Sequence, residues 1–169
     1  MLIGIAGALG SGKTLFMTRC LYKEWLKDID KKIATNYNLN GIPHRFIVAK
    51  ELFDLKQSLQ NTILGIDEMH IFLDCRESHK NKQMTHFILQ TRHLGVHLYF
   101  TTQDISQVDV RLRRMLDVLA YCTKTHIDNF FKVKIIDYRD TLNITTNTFI
   151  FDGSPYYDMY DTREIIDIT

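Results

Sequence analysis

The sequence predicts an α/β domain with a mostly parallel central sheet and antiparallel strands at its edge, and three observations carry that expectation. Over the first two thirds of the chain, short apolar runs alternate with stretches of helical periodicity. The first apolar run passes through a glycine-rich turn straight into a helical pattern. The last third holds β-rich runs around a short polar turn, which suits hairpin-connected strands at a sheet edge.

Taken in order, residues 2–6 form a short apolar strand, and Leu15, Thr18, Leu21, Tyr22, Trp25 and Leu26 then recur at helical spacing as one broad packing face. Residues 32–36 and 45–48 are weaker strand candidates around the Asn40-Gly41-Ile42-Pro43 turn, followed by a helical stretch over 49–59. Residues 62–66 read as a second buried strand, ending in Asp67 and Glu68. Met84, Phe87, Ile88 and Thr91 then mark one face of a helix over 82–92. A third core strand is expected at 96–102 and a helix at 106–116. Strands over 118–125, 131–138 and 145–151 follow, with a hairpin around Arg139-Asp140.

At 169 residues the chain has the size of one well-packed domain, so residues 1–169 are read as a single unit. Twenty-one basic against 20 acidic residues leave a net charge of +1, so any nucleic-acid surface has to be local. Cys20, Cys75 and Cys122 lie far apart without a Cys-x-x-Cys pair, which fits reduced structural thiols in a cytoplasmic setting. The apolar start has no basic flank and runs into the glycine turn, so it reads as a buried strand and not as a signal peptide. No run of about 18 apolar residues is present, so no membrane span is expected in this chain.

Gly7-Ala8-Leu9-Gly10-Ser11-Gly12-Lys13-Thr14 fits G-x-x-x-x-G-K-[ST] between a strand and a helix, the context that a phosphate-binding loop requires. Glycines let the backbone curl so that successive N–H groups face phosphate oxygens, and the helix N-terminus adds its positive dipole end. Gly7, Leu9, Gly10, Ser11 and Gly12 would form the cradle for ATP, with Lys13 reaching the β- and γ-phosphates. Thr14 would offer its hydroxyl to Mg²⁺. Asp67 and Glu68 end an apolar strand, where two carboxylates are costly unless they meet a cation or water. Asp67 would hold Mg²⁺ through its water shell, and Glu68 would orient and deprotonate the attacking water. Gln103, at the end of the third strand, either senses the γ-phosphate or the attacking water, or forms a turn.

With Ala8 to Thr14, Ile66-Asp67-Glu68-Met69-His70, and Thr91-Arg92-His93-Leu94-Gly95-Val96-His97 leading to Thr101-Thr102-Gln103, the chain resembles the FtsK-HerA superfamily of ring-forming ATPases. Within that superfamily it is most similar to the zonula occludens toxin-like and viral DNA-packaging branches, firmly over residues 2–125 and loosely in the tail. The resemblance implies a RecA-like P-loop NTPase fold of the additional-strand, catalytic-glutamate type. It also implies a motor that moves double-stranded DNA, packaging a viral or mobile-element genome as a hexameric ring with ATP between subunits. A capsid or portal protein would be a partner, and the place of action would be the host cytoplasm, with transient residence at a capsid vertex or membrane. Arg92 corresponds to the family's arginine before the third strand and would act in trans as an arginine finger.

Alternatives stay open. Arg111, Arg113 and Arg114 rival Arg92, or would grip DNA phosphates, or would form a solvated helix face. His70 reads as a core or supporting histidine. His86 and His93, about 10 Å apart along a helix, are too distant to share one zinc ion. Residues 76–82 are a pore loop or an ordinary solvated loop, and the aromatic tail 155–160 either stacks on bases or a partner subunit or packs over the sheet edge. A second functional reading is the cytoplasmic ATPase domain of a filamentous-phage-type virion assembly and export protein. A third, a nucleotide switch or small-molecule kinase, is disfavoured by Glu68 and Gln103.

Overall fold

A computed structural model of the chain describes residues 1–48, 59–69, 86–91 and 93–161. Strand β1 (Leu2–Ala6) is buried along its whole length, as an apolar run flanked by parallel neighbours should be. Helix α1 (Lys13–Lys27) follows, then β2 (Lys32–Thr35), β3 (Arg45–Phe46), β4 (Thr62–Ile66) and β5 (His97–Thr102). A short helix α2 (Val110–Arg114) leads into β6 (Val118–Lys124), β7 (Phe130–Asp137) and β8 (Thr145–Asp152). The expected helix over 49–59 and the first part of that over 82–92 lie outside the described residues; residues 86–91 are helical.

The eight strands among the described residues form one sheet in the order β3-β2-β4-β5-β1-β6-β7-β8. Neighbours from β3 to β6 run parallel, while β6-β7 and β7-β8 are antiparallel. Strand β5 therefore lies between β1 and β4, which is the additional strand of the expected fold type. The consequence is positional: the glycine turn after β1 and the carboxylates after β4 emerge on the same rim, with the end of β5 between them.

Side chains alternate across the strands and build an apolar layer on each face. Ile3, Ile5, Ile63 and Tyr99 join Leu15, Phe16, Met17 and Leu21 of α1 on one side, where Phe131, Val133 and Phe151 extend the layer under the hairpin. Leu2, Leu64, Ile66, Leu98 and Phe100 meet Phe87, Ile88, Leu112 and Leu116 on the other. Toward its C-terminal end α1 is tied to β5: Glu24 accepts from His97 Nδ1 at 2.8 Å and from the Tyr99 hydroxyl in a short hydrogen bond. Burial pushes the Glu24 carboxyl up, but these two donors outweigh it and hold the group below its ordinary range.

One expected helix is broken in two. Residues 106–116 carry a continuous helical periodicity, yet the chain forms a 3₁₀ turn at Ile105–Gln107, an extended Val108, and then α2. The cause lies in two aspartates: Asp104 caps the first turn by accepting from the Ser106 amide, and Asp109 starts the second by accepting from the Arg111 amide.

Helix α1 sits close enough on β4 to require a glycine there. A Cβ at Gly65 would lie 2.8 Å from Leu21 Cδ1 and 3.2 Å from Thr35 Cγ2. Gly65→Ala is therefore expected to lower the unfolding free energy by about 1–3 kcal/mol through overpacking, read from urea denaturation with unchanged m.

Candidate functional site

The glycine turn closes tightly over the end of β1. A Cβ at Gly7 would lie 2.4 Å from the Cys122 carbonyl oxygen and 2.6 Å from Ser11 Oγ. Gly12 is in the left-handed region at φ 84°, and a Cβ there would lie 2.5 Å from the Phe131 ring. Both positions need glycine, so the loop is held at its two ends by β6 and β7. Helix α1 begins with no side-chain cap, which leaves its first-turn N–H groups for a ligand. Ser11 Oγ is buried with no hydrogen-bond partner among the described residues, and Lys13, 5% exposed, rests its ammonium on the Ala8 carbonyl at 3.1 Å. A buried orphan hydroxyl, open amides and a retracted cation are what a phosphate-binding cradle offers, so these residues fit the polyphosphate of ATP.

Next to the cradle, hydroxyls from two other elements converge on one carboxylate. Thr14 Oγ1 lies 3.0 Å from both oxygens of Asp67, and Thr101 Oγ1 donates to Asp67 Oδ1 at 2.5 Å. The same Thr101 oxygen accepts from the Glu68 amide at 2.8 Å, so one hydroxyl fixes both acidic residues. Glu68 itself has φ 52°, an uncommon conformation for a residue with a side chain and one found where a site stores strain. Behind Asp67, Asn36 makes a two-way clamp: the Asp67 amide donates to Asn36 Oδ1 at 2.7 Å, and Asn36 Nδ2 donates to the Asp67 carbonyl at 3.0 Å.

Burial lifts the Asp67 carboxyl above the ordinary carboxylate range, and the Glu68 charge adds to this. The Thr101 and Thr14 hydrogen bonds and the Lys13 charge pull the other way without cancelling it. A carboxylate that is costly to ionise in the metal-free protein gains most from a divalent cation, so Thr14 and Asp67 fit a Mg²⁺ ion that would complete its shell with water and phosphate oxygens.

Leu9, Gly10, Gly12, Lys13, Thr14, Asp67 and Glu68 line one cavity of about 410 Å³. Gly7 and Ser11 lie in the loop behind it. Gln103 is exposed on the bend after β5, and the β5 side chain that reaches the carboxylates is Thr101. Arg92, His70 and residues 76–82 lie outside the described residues. Among the rival arginines, Arg111 is paired with Asp109 at 2.9 Å and Arg113 donates to the Val108 carbonyl at 3.0 Å. The aromatic tail, expected either to stack on bases or a partner subunit or to pack over the sheet edge, forms a 3₁₀ strap (Ser154–Met159) that brings Tyr157 and Tyr160 to the cavity beside Tyr37. Sequence reasoning missed Asn36 and gave Thr101 no role of its own. The available signal was a short polar residue at the carboxyl end of a parallel strand, but which of these strands flank β4 shows only in the sheet order.

Against known proteins, a family model described as zonular occludens toxin (Zot) matches residues 1–152. The crystal structure of the N-terminal domain of zonular occludens toxin from Neisseria meningitidis superposes with a TM-score of 0.72 at 17% identity, covering 95% of this chain and 98% of that one. B204, the DNA-packaging ATPase from Sulfolobus turreted icosahedral virus, gives 0.64 at 14% identity over 86% of this chain and 96% of its own. The genome packaging NTPase B204 from Sulfolobus turreted icosahedral virus 2, in complex with sulfate, gives 0.66 at 13% identity over 89% and 97%. At these identities the likeness establishes a shared fold, that of P-loop NTPases. No curated protein sequence matches the chain.

Two outcomes follow from the geometry. Asn36→Ala strands the buried Asp67 amide and carbonyl, and is expected to cost roughly 2–3 kcal/mol in chemical denaturation. In the metal-free protein the native state holds the Asp67 proton more tightly than the unfolded chain does, so stability falls as pH rises through the window between the two pKa values. Asp67→Asn is therefore expected to raise the metal-free Tm and flatten this trend across the weakly acid range, as thermal melts over pH would show.

Proposed function

The chain belongs to the zonular occludens toxin (Zot) family, and we propose that it is a Mg²⁺-dependent ATPase whose hydrolysis drives the movement of double-stranded viral or mobile-element DNA. The observation that carries this reading is the convergence on one rim of the glycine cradle, Thr14, Asp67, Thr101 and Glu68, supplied by α1 and by the ends of β1, β4 and β5. Residues 1–169 would act as one ATPase domain, working in the host cytoplasm and at a capsid vertex or membrane.

In this mechanism Lys13 leaves the Ala8 carbonyl to bind the β- and γ-phosphates, while the open amides of the loop and the Ser11 hydroxyl hold the remaining phosphate oxygens. Mg²⁺, when bound by Thr14 and Asp67, supplies charge neutralisation at the departing γ-phosphoryl group. Thr101 and Asn36 keep Asp67 and the Glu68 backbone in place, so Glu68 projects into the cavity from a fixed turn. There it takes the proton of the attacking water. Gln103, on the bend beside this rim, would sense the γ-phosphate. Arg92 would be donated by a neighbouring subunit of a ring, a hexamer by the family resemblance, and would stabilise the charge of the transition state.

Membership of the Zot family favours a second reading of the same chemistry: the cytoplasmic ATPase domain of a filamentous-phage-type assembly and export protein. Among the described residues no helix is long and apolar enough to cross a membrane, so in that reading the membrane contact would come through a partner or through further chain.

Steady-state ATP hydrolysis by the purified protein, with and without linear double-stranded DNA and over a range of protein concentrations, separates these readings. The motor is expected to show steeply concentration-dependent, DNA-stimulated turnover that falls roughly 10³-fold in Arg92→Ala and is abolished in Lys13→Ala. Turnover that depends on Lys13 but ignores DNA and Arg92 would remove the DNA motor, and co-sedimentation with membranes would then favour the export protein.

A further inference from the structure

The cavity that holds the glycine cradle has two chemically different ends. Thr14, Asp67 and Glu68 gather its polar groups at one. Tyr160, just past the end of the strap, lines the cavity on that side, against the ring of Tyr37, the residue after the Asn36 that clamps Asp67. Phe131 lines the cavity where the strap begins, packed between Gly12 of the loop and Gly153, and Tyr157 follows along the strap and lines the same cavity.

The strap is fixed at both of its ends. Gly153 N donates to the Asn129 carbonyl at 2.7 Å, and Asp152 Oδ1 accepts from the Ser154 amide and hydroxyl at 2.9 and 2.7 Å. At the other end Asn40 donates from its amide to the Met159 carbonyl at 2.7 Å and from Nδ2 to the Asp158 carbonyl at 3.0 Å. Two of the strap's tyrosines serve packing: Tyr156 meets Tyr22 edge-on at 6.3 Å, and Tyr160 meets Tyr37 at 6.2 Å. Tyr157 has no ring partner among the described residues. It remains 36% exposed while lining the cavity, as does Leu9, 83% exposed on the glycine loop. An aromatic face held in place and left open to a cavity is a preformed stacking surface.

Resting on the nucleotide reading above, we propose that Tyr157 is the platform on which the base of the bound nucleoside triphosphate stacks, with Phe131 lining the same apolar end. The triphosphate then runs from this end toward Asp67 across the loop, so the strap sets the direction in which the nucleotide lies. It also separates two contributions to affinity: Lys13 and the loop hold the phosphates, and Tyr157 holds the base.

Isothermal titration of the full chain with Mg²⁺-ATP and with Mg²⁺-tripolyphosphate, a ligand that has no base, tests this for the wild type, Tyr157→Ala, Tyr157→Phe and Lys13→Ala. The wild type is expected to bind ATP more tightly than tripolyphosphate. Tyr157→Ala should weaken ATP by about tenfold and leave tripolyphosphate unchanged, while Tyr157→Phe, which keeps the ring, should bind ATP as the wild type does. Equal ATP affinity in Tyr157→Ala and wild type would overturn the platform, and the nucleotide site would stand if Lys13→Ala loses both ligands. If Tyr157→Ala does not fold, the wild-type comparison still decides, because tripolyphosphate binding as tightly as ATP overturns the proposal. A wild type that binds neither ligand would overturn the nucleotide reading and the platform with it.

Discussion

Two hydroxyls, one from the start of α1 and one from β5, share the buried carboxylate of Asp67, and the rest of the site depends on that meeting. The three groups come from positions 14, 67 and 101, so no local segment can assemble them. The sheet does it by placing β5 between β1 and β4, which brings the loop after one strand and the acids after another within reach of a threonine on the strand between. Two hydroxyl donors do not fully compensate a carboxylate this deeply buried, and its raised pKa expresses the remainder. That uncompensated charge links fold and function: the arrangement is costly without a cation and favourable with one.

The surrounding structure resists relaxing this cost. Asn36 holds the Asp67 peptide from the side of β2, and Thr101 holds the Glu68 amide from the side of β5, so the turn at Glu68 keeps its left-handed conformation. On the loop side, contacts of Gly7 with Cys122 and of Gly12 with Phe131 fix the cradle against β6 and β7. Farther along α1, Glu24 binds the helix to β5, so the helix whose first turn would face the phosphates is anchored to the same strand that carries Thr101. Preorganisation of this kind spares the protein reorganisation when charge develops at the γ-phosphate.

What could be read in the sequence was whatever is encoded locally. The cradle, the length of α1 and the end of β4 at Ile66 follow from glycine spacing, helical periodicity and an apolar run that stops at two acids. The break between Ile105–Gln107 and α2 was missed because periodicity over 106–116 outweighed the capping preference of Asp104 and Asp109, whose side chains compete with a continuous helix. Asn36 was out of reach for another reason: its partner lies 31 positions away, and only the pairing of β2 with β4 makes it a clamp. The path of the strap was left open on similar grounds. Its aromatic composition indicates burial, but not that its path from β8 to Leu39 crosses the cavity. Thr101 was given no role of its own, because a polar run at a strand end does not show which of its residues meets the neighbouring strand; that rests on the register of β5 with β4.

The central claim is that Glu68, held in its strained turn, performs the hydrolytic step at a site assembled by Asp67. Single-turnover rapid quench with labelled ATP and Glu68→Gln protein tests it most directly, because binding and chemistry are read in one experiment. The expected result is that ATP binds with wild-type affinity and is recovered intact, with the chemical step slowed at least about 100-fold. Hydrolysis of bound ATP by Glu68→Gln at the wild-type rate would contradict the account and move the water-activating group elsewhere.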